Sequence, residues 1–183
     1  MMNKHHRNIK LTCTPEFENK RTTFLDVDIT IENGEIRTNL HIKPTSINQY
    51  LSPLSCHPSH ISRNIPYSLA YRIRRICSRE SDFLQQLEKL RDMLLARGYK
   101  RRVIESAFDR VRCLSREETL KKVEKVPTEK TTFVITFDPR LTSVPRTVHK
   151  HARTLMMDPH MREIYKEGFQ VGFKRHRNIK EYT

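Results

Sequence analysis

Two runs of apolar residues at helical spacing, separated by a short break, constrain the fold of this chain more than any other feature. The positions that repeat are Phe83, Leu87, Leu90 and Leu94 in the first run, and Ile104, Ala107, Phe108 and Val111 in the second. Such spacing places each set on one face of an α-helix. Gly98, in the break Arg97-Gly98-Tyr99, stands where a helix C-terminal cap belongs. The sequence therefore predicts a helix–turn–helix pair.

Further helices are expected on both sides of this pair. An apolar stripe through Leu69, Ile73, Ile76 and Cys77 predicts a preceding helix, with Pro66 in its first turn. Ser115-Arg-Glu-Glu118 resembles a capping box that opens a polar helix running to about Val126. Helical structure interrupted by Pro159 is expected from Val144 to Tyr165, after a brief strand at Phe133–Phe137.

The N-terminal part predicts a β-hairpin. Apolar and polar residues alternate from Thr23 to Ile31, which is typical of one continuous strand. Asn33-Gly34 suits the positive φ angles of a two-residue turn, and a return strand follows through Ile36, Thr38, Leu40 and Ile42.

These elements predict an α+β fold that is mainly α. We divide the chain into a β-hairpin (1–43), a Pro- and Ser-rich linker (44–65), a helical domain with the helix–turn–helix pair (66–126), and a connector with a basic tail (127–183).

The net charge of +14 implies a polyanionic partner, and nucleic acid is the first candidate. An anionic membrane is the weaker alternative, because no apolar run approaches the roughly 20 residues of a spanning helix and no signal-peptide core follows Met1. We expect no membrane partner. The four cysteines form no CxxC pair, which favours free thiols in the cytosol or nucleus.

Two groups of cations are the candidate nucleic-acid contacts. Arg72, Arg75 and Arg79 have the spacing of one helical ridge, Arg74 adds to it, and no acidic residue lies between Arg63 and Glu80. A solubilising face is the alternative.

The second group is Lys100, Arg101 and Arg102, near a helix N-terminus where the macrodipole disfavours positive charge. A bound phosphate would relieve that conflict, although a solvent-facing triplet is an equally good interpretation. In a helix–turn–helix protein, the helix from Lys100 to Arg112 would enter the major groove with Arg101, Arg102 and Glu105 near base edges.

Two clusters are candidate metal sites, and neither has enough ligands. Asp26 and Asp28 would share one face of a strand, and Cys56, His57 and His60 form a Cys-His-x-x-His motif. We expect no metal and no cofactor. The sequence has no GxSxG, phosphate-cradling glycine loop or dinucleotide fingerprint, so we assign no catalytic residue and expect no enzyme activity from this chain alone.

A series of short motifs along the chain resembles the C-terminal part of Penelope-like retroelement reverse transcriptases. The motifs are Phe24-Leu-Asp-Val27, Lys43-Pro44, Gln49-Tyr50, Ser55-Cys-His-Pro58, Ile65-Pro-Tyr-Ser68, Arg72-Ile-Arg-Arg-Ile-Cys-Ser78, Arg97-Gly-Tyr99, Thr136-Phe-Asp-Pro139, Asp158-Pro159 and Phe173-Lys-Arg175. The resemblance implies a palm-remnant hairpin, a thumb that grips an RNA–DNA hybrid or duplex DNA, and a connector.

The resemblance also implies missing parts. The family's polymerase site uses adjacent aspartates on an earlier strand, and this sequence has no Asp-Asp pair. Asp26 matches a later, non-catalytic strand, and the GIY-YIG endonuclease that follows in many members is absent. We therefore expect a fragment, such as a truncated gene product, whose partner would be the missing palm and fingers. The alternative is a free-standing helix–turn–helix DNA-binding protein.

Overall fold

The computed structural model describes residues 20–47, 49–122 and 130–175. Its strands and α-helices are β1 (Arg21–Phe24), β2 (Val27–Glu32), β3 (Glu35–Leu40), α1 (Ser59–Ile76), α2 (Glu80–Ala96), α3 (Arg101–Arg112), α4 (Arg116–Leu120), β4 (Thr131–Thr136), α5 (Val144–Leu155), α6 (Pro159–Ile164) and β5 (Phe169–Lys174). A three-stranded sheet is followed by a helical region, which confirms the predicted α+β class.

The N-terminal sheet is antiparallel, in the order β1-β2-β3. Its second hairpin is the predicted one, because Glu32 pairs with Glu35 and both Asn33 and Gly34 have positive φ. The prediction of a single strand from Thr23 to Ile31 is wrong. Leu25 has a φ of 56° and forms a turn with Asp26, so β1 folds back on β2. Alternation gave no sign of this turn, since leucine rarely adopts positive φ.

The core lies among α1, α2 and α3. Its buried side chains are Ala70, Ile73, Cys77, Phe83, Leu87, Leu90, Leu94, Tyr99, Ile104, Phe108 and Val111. These include nine of the twelve positions of the predicted apolar stripes, all except Leu69, Ile76 and Ala107. Full burial of one Leu or Phe side chain contributes roughly 1.5–3 kcal/mol, so this set supplies most of the stability of the helical region.

Two helix boundaries differ from the predictions. Helix α1 begins at Ser59 rather than at Pro66, so the end of the expected linker is helical. Pro66 is buried inside the helix, where its packing offsets the backbone hydrogen bond that proline cannot donate. Helix α4 begins with the predicted capping box but ends at Leu120, and residues 123–126 of the expected helix lie outside the described residues.

The C-terminal part pairs β4 with β5 in parallel. The expected strand at Phe133–Phe137 is confirmed as β4, and the helical stretch divided at Pro159 is confirmed as α5 and α6. Strand β5 was not predicted. Gly172 lies within it, and a Cβ there would come 3.2 Å from Thr132 Cγ2, so the close pairing with β4 favours glycine.

Within the described ranges, none of the helices is both long and apolar enough to cross a membrane.

Candidate nucleic-acid interface

The turn between α2 and α3 fixes the direction in which α3 leaves the core. Gly98 has a φ of 93°, and its N–H donates to the carbonyl of Leu95 at 2.9 Å. The Tyr99 hydroxyl donates to the carbonyl of Leu51 at 2.8 Å, and Arg97 Nε donates to the carbonyl of Tyr50 at 2.6 Å. Two hydrogen bonds to backbone carbonyls of the segment before α1 therefore hold the turn in place.

Helix α3 has one apolar and one polar face. Ile104, Ala107, Phe108 and Val111 are buried against the core. Because these residues define the inner face, the remaining side chains of the helix are directed outward. The N-terminal cations therefore have no competing role in packing.

Lys100, Arg101 and Arg102 are exposed at the start of α3, and none of their side chains has a hydrogen-bond or ion-pair partner among the residues described. Lys100 occupies the N-cap position, no side chain caps the helix, and its first turn has no acidic residue. Three cations thus add to the positive end of the helix dipole, and the backbone N–H groups of that end need acceptors. This arrangement favours a bound phosphate.

Both acidic side chains of α3 have ion-pair partners within the protein. Glu105 Oε1 accepts from Arg91 Nε on α2 at 2.7 Å, and Arg91 also pairs with Glu88. The hydrogen bond from Arg91 to Glu105 raises the pKa of Arg91. Farther along, Asp109 accepts from Arg112 at 3.0 Å. Glu105, which the helix–turn–helix interpretation places near base edges, thus joins α3 to α2, and its contact with bases stays a prediction.

The arginine ridge expected on α1 does not form as a free surface. Arg79 lies beyond the end of α1, at the N-cap of α2, and pairs with Glu32 of the sheet. Arg72 pairs with Asp26. The Arg75 side chain is exposed and has no hydrogen-bond or ion-pair partner among the described residues, although the Arg75 carbonyl accepts from Arg116 Nε at 3.3 Å.

Arg74 is the most enclosed of these arginines. It pairs with Glu80, donates to the carbonyl of Leu114 at 2.9 Å, and lies 4.7 Å from the centre of the Phe83 ring. Although no acidic residue lies between Arg63 and Glu80 in the sequence, Arg72, Arg74 and Arg79 are thus paired with carboxylates of the β1–β2 turn, of α2 and of β2. As nucleic-acid contacts, all seven candidate residues stay predictions.

The same interactions join the N-terminal sheet to the helices. Besides the two ion pairs from Arg72 and Arg79, the N–H of Ser78 donates to the carbonyl of Thr38 at 2.9 Å. The Thr38 hydroxyl donates to the carbonyl of Ile76 at 2.6 Å. The edge of β3 is therefore covered by the segment that links α1 to α2.

The side chains of the two candidate metal sites are not placed to bind one metal ion. Because the chain turns at Asp26, this residue and Asp28 do not share one strand face. Asp28 instead accepts from Thr23 at 2.6 Å and lies 3.1 Å from His41 Nδ1. Across the described residues, no group of three or more His, Cys, Asp or Glu side chains is placed to hold a metal ion.

The comparisons with known proteins bear on the helical region. Residues 49–109 match the family described as the animal helix-turn-helix domain. The matched segment contains α1, α2, the turn at Gly98 and most of α3, including Lys100, Arg101 and Arg102. No curated protein and no solved structure matched the chain. The match gives no support to the resemblance to reverse transcriptases, which stays a prediction. The segment that spans residues 49–109 is thus similar to a helix–turn–helix domain, and this similarity supports nucleic-acid binding.

Proposed function

We propose that this chain binds double-stranded DNA through the helix–turn–helix formed by α2 and α3, with α3 as the helix that approaches the groove. The observation that carries the proposal is the exposed cluster of Lys100, Arg101 and Arg102 at the start of α3, whose side chains have no ion-pair partner in the part of the chain that the structure describes. The segment that contains it is the one that resembles an animal helix–turn–helix domain.

The role of the cluster follows from its position. In helix–turn–helix proteins, the N-terminal residues of the second helix contact base edges. Arginine can donate two hydrogen bonds to guanine, whereas lysine is more often a point charge for phosphate. We therefore assign base contacts to Arg101 and Arg102, and a phosphate contact to Lys100. Glu105 has no base contact in this arrangement, since Arg91 holds it.

Selection of bound sequences from a pool of random duplexes tests this function. The proposal expects enrichment of a motif that contains guanine, and loss of that motif in an Arg101→Ala, Arg102→Ala double variant. Binding without any enriched motif would refute sequence-specific recognition and favour the second candidate below.

The second candidate is a reverse-transcriptase thumb that grips a template–primer through phosphates, without sequence specificity. Its supporting observation is the packing of the three-stranded sheet against α1 and α2 through Arg72, Arg79 and Thr38, which is the neighbourhood expected of a palm strand beside a thumb. This candidate expects equal affinity for unrelated sequences and undiminished binding of RNA–DNA hybrids. A strong preference for B-form duplex would count against it.

Both candidates describe a binding protein rather than an enzyme. Neither provides the adjacent aspartates of a polymerase, and this sequence contains no Asp-Asp pair. Purified protein is expected to leave a primer unextended in the presence of Mg²⁺ and nucleotides, and extension would refute the non-catalytic assignment. Either candidate would act in the nucleus or cytoplasm, where its nucleic-acid partner lies.

A further inference from the structure

A groove of about 500 Å³ lies where the loop before α1 meets the ends of β4 and β5. Phe137 and Phe173 line it, with ring centres 5.5 Å apart and ring planes at 87°. Cys56 and His57 line it as well. The volume falls within the range of small-ligand sites and is ample for one nucleobase.

The described residues that line this groove include Lys174, Arg175 and His57, and none of them is Asp or Glu. The polar cleft against the N-terminal sheet is different, because Asp28 and Glu32 line it together with arginines. The exposed Lys174 therefore gives the groove beside β5 a cation that an anion can approach.

Aromatic rings beside cations are the composition of sites for single-stranded nucleic acid. Bases stack on the rings, and the backbone phosphates meet the cations. A base inside a duplex cannot present its face to a side chain, since both faces are covered by neighbouring bases. Phe173 is half-buried and so keeps part of its ring accessible for stacking, whereas Phe137 is buried and packs against it with the two ring planes nearly perpendicular.

We infer that this groove binds an unpaired nucleotide of single-stranded nucleic acid, with the base on Phe173 and a phosphate at Lys174. The inference rests on the proposed nucleic-acid function and adds a second site, which binds single-stranded rather than duplex nucleic acid. Duplex would bind through α3, and an unpaired strand would bind at the groove. The groove chemistry is shared by DNA and RNA, so both forms belong in the test.

Fluorescence anisotropy with the full chain tests the inference. The probes are a thymidine dodecanucleotide, a uridine dodecanucleotide and a blunt duplex. Phe173→Leu keeps an apolar side chain but removes the stacking face. It is expected to weaken binding of at least one single-stranded probe about tenfold, as for one lost stacked base, and to leave duplex affinity unchanged. The probe that loses more affinity identifies DNA or RNA as the preferred strand.

Two variants distinguish a failure of this inference from a failure of the proposed function. Replacing Lys100, Arg101 and Arg102 by alanine is expected to weaken duplex binding while the effect of Phe173→Leu on single strands persists. Unchanged single-strand affinity in the Phe173→Leu variant, or an equal loss for single strand and duplex, would overturn the inference. A loss of duplex binding limited to the α3 variant would leave the proposed function intact.

Alkylation of Cys56 in the unaltered protein gives a second measurement that does not depend on a variant folding correctly. Cys56 is exposed and lines the groove, while Cys113 is exposed at the end of α3 and serves as the internal control. Peptide mass spectrometry is expected to show that a saturating single strand protects Cys56 but not Cys113. Blunt duplex should leave Cys56 reactive. Equal reactivity of Cys56 with and without the single strand would overturn the inference.

Discussion

Removal of the three cations at the start of α3 should change the salt dependence of DNA binding more than any other triple substitution of similar charge. The variant carries alanine at Lys100, Arg101 and Arg102, whose side chains have no partner in the described structure. Each phosphate contact contributes about 0.9 to the slope of log affinity against log salt. In the proposed arrangement Lys100 meets phosphate, so the slope falls by about 0.9, and between about 50 and about 200 mM salt wild-type affinity drops about 3.5-fold more than that of the variant. If Arg101 and Arg102 also meet phosphates, the slope falls by up to about 2.7 and this difference rises to about 40-fold.

Fluorescence anisotropy across a salt series measures this slope. The matched control replaces Arg146, Lys150 and Arg153 of α5 by alanine, an equal change of charge at three exposed positions. The α3 variant should also be at least as stable as wild type, because positive charge at a helix N-terminus is unfavourable by about 0.3–1 kcal/mol. An unchanged slope in the α3 variant, or an equal fall in the control, would refute the assignment of α3 as the contact helix.

Three further substitutions test the structure around α3 and the sheet. Gly98→Ala should lower the unfolding free energy by about 1–2 kcal/mol, since φ is 93° at this position. Urea denaturation measures the change, and an unchanged unfolding free energy would contradict the left-handed conformation of this turn. Glu105→Ala should lower the unfolding free energy by about 1–2 kcal/mol, because it leaves Arg91 without its main partner. The variant should still select the same DNA motif, and an altered motif would show that Glu105 contacts bases. Burial pushes the pKa of Asp28 upward, but hydrogen bonds from Thr23 and His41 outweigh it and hold the pKa below its ordinary value. The stability from Asp28 is therefore present above the unfolded-state pKa, about 3.9, and is lost as pH falls through the lower folded-state pKa. Asp28→Asn should be about 1–2 kcal/mol less stable than wild type near neutral pH, and the gap should close below about pH 4; a gap that stays open in acid would contradict this role.

Local patterns predicted the elements whose determinants lie close together in sequence. The spacing of Phe83, Leu87, Leu90 and Leu94 defines the inner face of α2, and Gly98 marks the turn after it. Ser115 and Glu118 form the capping box of α4, with bonds of 3.1 and 2.7 Å. Each of these features depends on residues within about three helical turns of one another, so a local pattern in the sequence is enough to predict it.

Features that depend on distant partners could not be predicted in this way. The ion pair between Arg79 and Glu32 joins residues 47 positions apart, and no local pattern indicates it. Strand β5 depends on pairing with β4, whose Thr132 lies 38 positions before Gln170. The candidate site shows the same division, since the exposed triplet of α3 was visible in the sequence while the neutralisation of Arg72 by Asp26 was not.

Photo-crosslinking from Ser106 tests the central claim most directly. Ser106 is exposed on α3, so a photoreactive amino acid there would lie beside DNA if this helix approaches the groove. The matched position is Lys150, which is exposed on α5. We expect ultraviolet light to join labelled duplex to the protein from position 106, with little product from position 150 and none in high salt. Crosslinking from position 150 but not from position 106, in protein that still binds duplex, would contradict the assignment of α3 as the nucleic-acid-binding helix.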